Sequence, residues 1–485
     1  MKYISTRTPN SEKQTAAYVI KKGLASDGGL YVPETLPSLT QKDIESLVGM
    51  TYTERATYIL SLFLTDYSED ELRNAAEAAY SAEKFGGPAA PIAKVGDDYF
   101  LELWHGPTSA FKDMALQIMP RLLSLSLGKT GEEKDAFILV ATSGDTGKAA
   151  LEGYCDIDRV RIQVFYPVNG VSNIQKKQMA SQKGNNVEVV SINGNFDDAQ
   201  SGVKKIFADE NAKKMLADKG YFFSSANSIN WGRLAPQIVY YVSAYCDLVS
   251  EGEIKYGDLL DVTVPTGNFG NILAAYIAKK MGIPLGKLVC ASNRNDILTD
   301  FINDGVYDRR REFFTTVSPS MDILISSNLE RLLYFTVGAE KTRECMEKLV
   351  NEGIYTLDDE TMDKIRKDFA GFACSEEDTA KTIKDLFTEC GYLCDTHTAV
   401  AASAAKRYKS ENGNKMLVVS TASPYKFAPA VLSALGVDVP EDDFDALDKL
   451  FETTKVAVPS NLADLRNAEV RFTKTVEPSE MINSL

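Results

Sequence analysis

The sequence predicts an α/β protein with mainly parallel sheets, helices on both sheet faces and a mostly helical N-terminal segment. From Tyr99 onward, short runs rich in β-branched and aromatic residues alternate with helical stretches. This alternation is typical of parallel sheets that are covered by helices on both faces. Up to about residue 90 the pattern is helical, apart from the loop sequence ASDGGLYVPETLP. Ligands of such sheets bind at the carboxyl ends of strands, so the loops that follow strands are the places to search for a site.

The predicted strands are short apolar runs bounded by turn residues. They cover residues 99–104, 136–142, 161–167, 186–192, 260–265, 288–292 and 416–421. Between them lie helical patterns such as those at 172–182 and 271–281. Residues 330–410 are rich in charge and read as a helical insertion.

The change of pattern near residue 90 predicts an N-terminal domain over residues 1–92 and a larger α/β region over 93–485. We expect the larger region to hold two parallel-sheet α/β subdomains. The small subdomain covers roughly 130–230, and the large one combines 93–129 with 231–485.

Composition and charge exclude several classes of function. The chain has 485 residues, with 44% apolar and 25% charged residues, which is ordinary for a globular protein. Its net charge of −15 argues against a nucleic-acid partner. The seven cysteines form no CxxC pair, and only two histidines are present, so we expect a reducing, cytoplasmic location and no metal site. We also expect no membrane partner, because no apolar run is long enough to span a bilayer and the N-terminus lacks a signal-peptide core.

The first unusual feature is a lysine at the start of a helix, in the sequence LWHGPTSAFKDMALQ (103–117). Thr108 or Ser109 can cap this helix, which places Lys112 in the first turn. A cation is disfavoured there by the helix dipole. Lys112 is therefore either an exposed lysine whose head reaches water, or a neutral amine that forms a Schiff base.

Two loops that follow predicted strands resemble anion-binding loops, and TSGDTGKAA (142–150) is the first of them. Small residues at a helix start let backbone N–H groups approach an anion, and Ser143 and Thr146 add hydroxyl groups. The glycine spacing differs from that of a Walker A loop, and Asp145 argues against a nucleotide triphosphate. The alternative is a tight turn that needs glycine.

The second loop lies in VPTGNFGNILAAY (264–276). Its backbone donors could surround a phosphate, and they belong to Gly267, Asn268, Phe269, Gly270 and Asn271. The spacing does not fit the dinucleotide pattern GxGxxG, and a turn with a helix cap is the alternative.

Two further segments supply polar groups at predicted strand or helix ends. Asn230 and Arg233 precede or begin a helix, and Arg233 could grip a phosphate or carboxylate or form a structural ion pair. Thr421 ends a strand and offers a neutral hydroxyl group, with helix capping as the alternative. We expect Lys426 to be a surface residue and His397 to have a core or capping role.

A Schiff-base lysine combined with a phosphate loop is the arrangement that pyridoxal phosphate requires. At these residues the sequence resembles the threonine synthase family, which belongs to the tryptophan-synthase-like, fold type II pyridoxal phosphate enzymes. The stretches that carry the resemblance are LWHGPTSAFKDMALQ, SGDTGKAALEGY, NSINWGRLAPQ, GNFGNILAAYIAKKMG and STASPYKF. The opening segments YISTR and GLASDGGLYVPETLP also resemble the family's N-terminus.

The resemblance implies a role for each matching residue. Lys112 would carry the cofactor as a Schiff base, the loop from Gly267 to Asn271 would hold the cofactor phosphate, and Thr421 would face the pyridine nitrogen. Residues implied to contact the substrate are Ser143, Asp145, Thr146, Asn230 and Arg233. The implied reaction is that of a carbon–oxygen lyase acting on phosphates, in which O-phospho-L-homoserine and water give L-threonine and phosphate.

Three alternatives remain open from the sequence. Another pyridoxal phosphate enzyme, either a phospholyase or a serine or threonine dehydratase, would share the lysine and the cofactor loop. A non-catalytic α/β protein that binds an anion or a nucleotide would bind no cofactor. We expect a monomer or a homodimer in each case.

Overall fold

A computed structural model describes residues 1–142, 144–408 and 413–485. Within these ranges the predicted α/β class is confirmed, because the chain forms two extended sheets flanked by helices. The strands in chain order are β1 (Tyr3–Ser5), β2 (Tyr31–Pro33), β3 (Ile92–Val95), β4 (Asp98–Glu102), β5 (Asp135–Ala141), β6 (Val160–Pro167), β7 (Val187–Ile192), β8 (Tyr221–Ser224), β9 (Leu260–Pro265), β10 (Leu285–Ser292), β11 (Val306–Asp308), β12 (Ile354–Thr356), β13 (Phe369–Ala373), β14 (Lys415–Ser420) and β15 (Thr475–Val476).

The α-helices follow the same order, and most begin at a Ser, Thr, Asn or Asp whose side chain accepts a hydrogen bond from the first turn. They are α1 (Ala16–Lys22), α2 (Gln41–Val48), α3 (Tyr52–Phe63), α4 (Glu69–Ala79), α5 (Ala82–Phe85), α6 (Asp113–Leu116), α7 (Met119–Lys129), α8 (Asp145–Tyr154), α9 (Asn173–Ala180), α10 (Phe196–Ala208), α11 (Glu210–Asp218), α12 (Trp231–Ser250), α13 (Gly270–Met281), α14 (Ile297–Asp304), α15 (Leu329–Asn351), α16 (Asp359–Asp368), α17 (Glu376–Cys390), α18 (Thr396–Arg407), α19 (Ala428–Leu435), α20 (Asp443–Thr454) and α21 (Ser460–Ala463). No helix of the described ranges is both long and apolar enough to cross a membrane.

The large sheet has the strand order β13-β10-β9-β14-β4-β3, and all its pairs are parallel except β3 with β4. The small sheet has the order β15-β7-β6-β5-β8 and is fully parallel. The seven predicted strands correspond to β4, β5, β6, β7, β9, β10 and β14. Helix α12 is buried along most of its length and packs against α3 and α13 within the main core.

Two local expectations need correction. The stretch 330–410, read as a helical insertion, also contains β12 and β13, and β13 pairs with β10 at the edge of the large sheet. The helix predicted after Lys112 is two helices, since α6 ends at Leu116 and α7 starts at Met119. Pro120 explains the second start, because proline lacks the N–H of a helix interior and suits a first turn.

The arrangement of the large sheet brings three loops together. Strands β4, β9 and β14 are parallel neighbours, so their carboxyl ends share one edge. Lys112 follows β4, the Gly267–Asn271 loop follows β9, and Thr421 follows β14. The fold therefore gathers three of the predicted site elements at this edge.

Candidate active site

Lys112 lies at the N-terminus of α6 with only 8% of its surface exposed, so its interpretation as a surface lysine is wrong. Its Nζ donates a hydrogen bond to Ser320 Oγ at 3.1 Å and lies 3.8 Å from Asp145 Oδ2. Burial lowers the pKa of Lys112 to about 8, and the charge of Asp145 offsets part of this effect. The amine is consequently neutral far more often near neutral pH than an exposed lysine is.

The loop before α6 differs from the predicted cap. Neither Thr108 nor Ser109 caps the helix. Instead, the backbone N–H and the hydroxyl of Thr108 donate to the carboxylate of Asp113, both at 2.8 Å. Burial raises the pKa of Asp113 to about 7. The loop is therefore held by the acid that follows Lys112 in the sequence.

Thr421 is adjacent to the lysine loop through backbone pairing. The Phe111 N–H donates to the Thr421 carbonyl at 2.8 Å, and the Ser423 N–H donates to the Ser109 carbonyl at 3.1 Å. Thr421 is 5% exposed, and its N–H donates to Thr398 Oγ1 at 3.3 Å. The backbone of Thr421 is therefore held against Phe111, the residue that precedes Lys112.

The Gly267–Asn271 loop contacts the same segment that contacts Lys112. A Cβ on Gly267 would lie 2.6 Å from the Ser320 carbonyl oxygen, so only glycine fits there. Ser326 Oγ donates to the Gly267 carbonyl at 2.7 Å. Phe269 has a φ of +63°, an uncommon conformation for a bulky residue that is concentrated at functional sites.

This loop fits a bound phosphate. Within the described chain, no acceptor faces the backbone N–H groups of Gly267–Asn271. The Asn271 Oδ1 accepts hydrogen bonds from Tyr240 and Tyr241, both at 2.5 Å, whereas its Nδ2 is buried without a partner. A helix N-terminus binds an anion when its hydrogen-bond donors have no other partner. The residues present therefore suit the phosphate of pyridoxal phosphate.

The loop after β5 is organised differently. Thr142 Oγ1 accepts hydrogen bonds from the N–H groups of Gly144 at 3.1 Å and Gly147 at 2.9 Å. Ser143 lies outside the described residues. Thr146 is partly buried in the first turn of α8.

Asp145, the third predicted residue of this loop, is 6% exposed and forms the anionic centre of the site. Its Oδ1 lies 2.5 Å from Lys426 Nζ and accepts a hydrogen bond from Gln175 Nε2 at 2.8 Å. Although burial opposes ionisation, the charges of Lys426 and Lys112 hold the pKa of Asp145 well below its usual range. Asp145 therefore joins two buried lysines.

The expectation that Lys426 is a surface residue is wrong. The residue is 2% exposed, and its Nζ also donates to the Thr108 carbonyl at 3.0 Å. Nothing in the sequence STASPYKF distinguishes this lysine from an exposed one. Its role becomes visible only because Asp145, from the other sheet, reaches it.

Arg233 is a buried cation with few partners. Its Nη1 donates to the Ala226 carbonyl at 2.6 Å, while its Nε is buried without a partner. Burial lowers the pKa of Arg233 to about 10, and its charge in turn helps to lower the pKa of Lys112. A buried guanidinium without a carboxylate is suited to an incoming anion.

Asn230 is the N-cap residue of α12, and its side chain has hydrogen-bond partners within the protein. Its Oδ1 accepts from the Gly232 N–H at 2.8 Å, and its Nδ2 donates to the Ile20 carbonyl at 2.8 Å. Both polar atoms of the side chain are engaged in capping α12 and holding α1. The substrate contact expected of Asn230 stays a prediction, and the hydrogen bonds present give the side chain a structural role.

Comparison with protein families matches three parts of the chain. "Threonine synthase N terminus" matches residues 2–80, "Pyridoxal-phosphate dependent enzyme" matches 91–423, and "Threonine synthase, C-terminal" matches 398–484. The second match covers well over half of the chain.

Similar proteins carry the same names. "Threonine synthase-like 1" of Pongo abelii is 41% identical over 455 residues, covering 90% of this chain, and this chain spans only 61% of that relative's length. "Threonine synthase" of Pseudomonas aeruginosa is 39% identical over 486 residues, covering 99% of this chain and 96% of the relative. This chain is 36% identical in sequence to the protein in the crystal structure of pyridoxal-phosphate-bound threonine synthase from Brucella melitensis. The two structures align with a TM-score of 0.88 over 99% of this chain and 97% of the other. The chain belongs to the threonine synthase family of pyridoxal-phosphate dependent enzymes.

Proposed function

We propose that the protein converts O-phospho-L-homoserine and water to L-threonine and phosphate with pyridoxal phosphate as its cofactor. The observation that carries this proposal is the buried Lys112 amine, whose pKa is lowered to about 8 and which contacts the segment beside the Gly267–Asn271 loop. The nearly full-length similarity to a relative named threonine synthase supports the choice of substrate.

The residues that would hold the cofactor are those at the carboxyl edge of the large sheet. Lys112 would bind it covalently, the Gly267–Asn271 loop would bind its phosphate, and Thr421 would face its ring nitrogen. Bound pyridoxal phosphate supplies an electron sink that stabilises negative charge next to the amino group. A neutral hydroxyl at Thr421 holds the ring nitrogen protonated less firmly than a carboxylate does.

The proton transfers are assigned to Lys112. With cofactor and substrate bound, the neutral Nζ of Lys112 would remove a proton from the substrate Cα and then one from Cβ. Phosphate would leave from Cγ, which would gain a proton, the hydroxyl of water would be added at Cβ, and a proton would be returned to Cα to give L-threonine. Burial of Lys112 serves this role because it raises the fraction of the amine that is neutral, and therefore basic, near physiological pH.

The substrate's two anionic groups require cations, and besides Lys112 the site contains two further buried cationic side chains. We assign substrate binding to Arg233, which has an unpartnered Nε, and to Lys426, with Asp145 setting the position of the latter. Ser143 and Thr146 are proposed to contact the substrate from the loop after β5. Asn230 is proposed to act indirectly, by fixing the start of α12 that carries Arg233.

The protein is further proposed to act in the cytoplasm as a monomer or homodimer on this small molecule, without a nucleic-acid partner. All seven cysteines are free, which suits a reducing compartment. The net charge of −15 disfavours nucleic acid.

The test is to incubate the protein with pyridoxal phosphate and O-phospho-L-homoserine and to measure amino acid and phosphate together. Equal amounts of threonine and phosphate are expected, and protein freed of cofactor serves as the control. Phosphate with 2-oxobutyrate would instead identify a phospholyase, because water would not have been added at Cβ. Absence of phosphate release, with turnover of serine or threonine, would identify a dehydratase.

A further inference from the structure

A buried histidine-carboxylate pair lies beside the site. The His397 side chain is 4% exposed and that of Asp395 is fully buried. His397 Nδ1 lies 2.7 Å from Asp395 Oδ2, and the same oxygen accepts the His397 N–H at 2.9 Å. The other carboxylate oxygen of Asp395 accepts the Thr398 N–H at 3.0 Å and caps α18. The carboxylate thus holds the imidazole from one side.

The opposite nitrogen of the ring contacts the segment that touches Lys112. The Ser320 N–H donates a hydrogen bond to His397 Nε2 at 3.1 Å. A backbone N–H can only donate, so Nε2 carries a lone pair and the ring proton is on Nδ1, facing Asp395. The two hydrogen bonds fix both the tautomer and the ring orientation.

Ser320 has two further contacts, and both are with the proposed cofactor machinery. Its hydroxyl accepts a hydrogen bond from Lys112 Nζ at 3.1 Å. Its carbonyl oxygen lies where a Cβ of Gly267 would approach to 2.6 Å. The N–H, the hydroxyl and the carbonyl of one residue therefore face His397, the reactive amine and the phosphate loop.

We propose that His397, held by Asp395, is a positioning residue that acts through Ser320 to place the Ser320 hydroxyl on the Lys112 amine and the Ser320 carbonyl against Gly267. This proposal rests on the proposed function, because it takes Lys112 as the reactive amine. With cofactor and substrate bound, the free Lys112 amine would have the Ser320 hydroxyl as a hydrogen-bond partner, which would keep it within reach of the substrate. A histidine that served only to fill the core would not need its Nε2 on this one segment.

The test compares His397→Gln with His397→Asn. The glutamine amide oxygen reaches about as far as Nε2 and can accept the Ser320 N–H, whereas the asparagine amide reaches only to the position of Nδ1. Two quantities are measured: the rate at which pyridoxal phosphate attaches to Lys112 in cofactor-free protein, followed by absorbance, and kcat and KM for O-phospho-L-homoserine. We expect His397→Asn to lower the attachment rate and kcat by about 100-fold with KM little changed. His397→Gln should stay within about tenfold of the unaltered protein.

Equal losses in the two variants, or no loss in either, would overturn the proposal. Ser320→Ala provides an independent arm, because it removes the hydroxyl while leaving the N–H on His397. Ser320→Ala alone should slow the attachment of pyridoxal phosphate to Lys112. The double variant with His397→Asn should attach the cofactor no more slowly than the slower of the two single variants. Fully additive losses would contradict action through Ser320. If His397→Asn does not fold, the attachment rate of Ser320→Ala decides, and an unchanged rate overturns the proposal.

The two proposals can fail separately. Protein that attaches the cofactor but makes no threonine refutes the proposed function, while its attachment rates still decide the role of His397.

Discussion

The loop after β5 and the loop after β9 both look like phosphate-binding loops in the sequence, yet their backbone N–H groups have different partners. In the first loop, Thr142 Oγ1 accepts hydrogen bonds from Gly144 and Gly147. In the second, the N–H groups of Gly267–Asn271 face no acceptor within the described parts of the chain. Because the Thr142 hydroxyl already pairs with two N–H groups of the first loop, the second is the better candidate for the cofactor phosphate.

Charge separates the two loops as well. The loop after β5 presents Asp145, which pairs with Lys426 and lies 3.8 Å from Lys112. A carboxylate repels a phosphate, so this loop is better suited to set the charge of the lysines and to contact the substrate. The comparison teaches that small residues at a helix start do not identify a phosphate site unless their N–H groups are free.

The largest expected effect comes from removing the amine between the two loops. Lys112→Ala should lower turnover by about 1,000-fold or more and abolish the absorbance of the lysine-bound cofactor. Non-covalent binding of pyridoxal phosphate should persist, because the Gly267–Asn271 loop is untouched. Equilibrium dialysis and turnover assays check both expectations.

Lys148→Ala is a matched control, since Lys148 is also buried but pairs with Glu152. Complete loss of cofactor binding in Lys112→Ala would contradict the assignment of the phosphate to the loop after β9.

Removing the negative charge of Asp145, in the loop after β5, should mainly lower the stability of the protein. Asp145→Asn leaves the buried Lys426 without its carboxylate, so we expect the free energy of unfolding to fall by about 3–5 kcal/mol. Chemical denaturation measures the change. The double variant Asp145→Asn with Lys426→Met should recover much of the loss, because no buried charge then lacks a partner. A single variant as stable as the original protein would show that the pair is not an electrostatic support.

A side chain at position 267, in the loop after β9, should have a smaller effect, which is a weaker affinity for the cofactor. In Gly267→Ala the new Cβ would lie 2.6 Å from the Ser320 carbonyl, and such overpacking costs about 1–3 kcal/mol. If this strain is relieved when the cofactor is absent, affinity for pyridoxal phosphate falls by roughly 5- to 150-fold. Titration of cofactor-free protein measures it. Gly49→Ala is the control, since a Cβ there meets nothing within 4 Å.

The smallest effect is a pH dependence that both loops influence. Burial lowers the pKa of Lys112 from 10.5 to about 8, and only the neutral amine attacks the cofactor aldehyde. The neutral fraction rises with pH through that value, so covalent attachment should be roughly fivefold faster at pH 8 than at pH 7. Rapid-mixing absorbance on cofactor-free protein gives the midpoint. A midpoint above 10 would mean that the lysine is not desolvated.

The predicted strands and the loops that follow them can be located from the sequence alone. β-branched runs indicate β5, β9 and β14, and a loop after a buried strand can be found without knowing the neighbours of that strand. Lys112 and the Gly267–Asn271 loop were identified in this way. The interpretation of Lys426 failed because burial depends on Asp145 from the other sheet, which no local pattern encodes.

Ser320 could not be identified from the sequence. It lies 208 residues from Lys112 in a three-residue 3-10 helix, and a single serine carries no periodic signal. The sequence CDTHTA did contain a useful sign, since an aspartate two residues before a histidine at a helix start can both cap the helix and hold the ring. Strand β13 was missed because it is a five-residue edge strand between two long helices.

The strand β15 has a consequence for how the chain folds during synthesis. It pairs with β7, although it is made about 250 residues after β8, the last of the other strands in its sheet. At a synthesis rate of about 5–20 residues per second, the edge of β7 stays open for roughly 10 to 50 s. An open strand edge is a template for pairing with other chains. Aggregation of the nascent protein should therefore depend on translation speed, even though β15 pairs with the carboxyl end of β7 in the finished sheet.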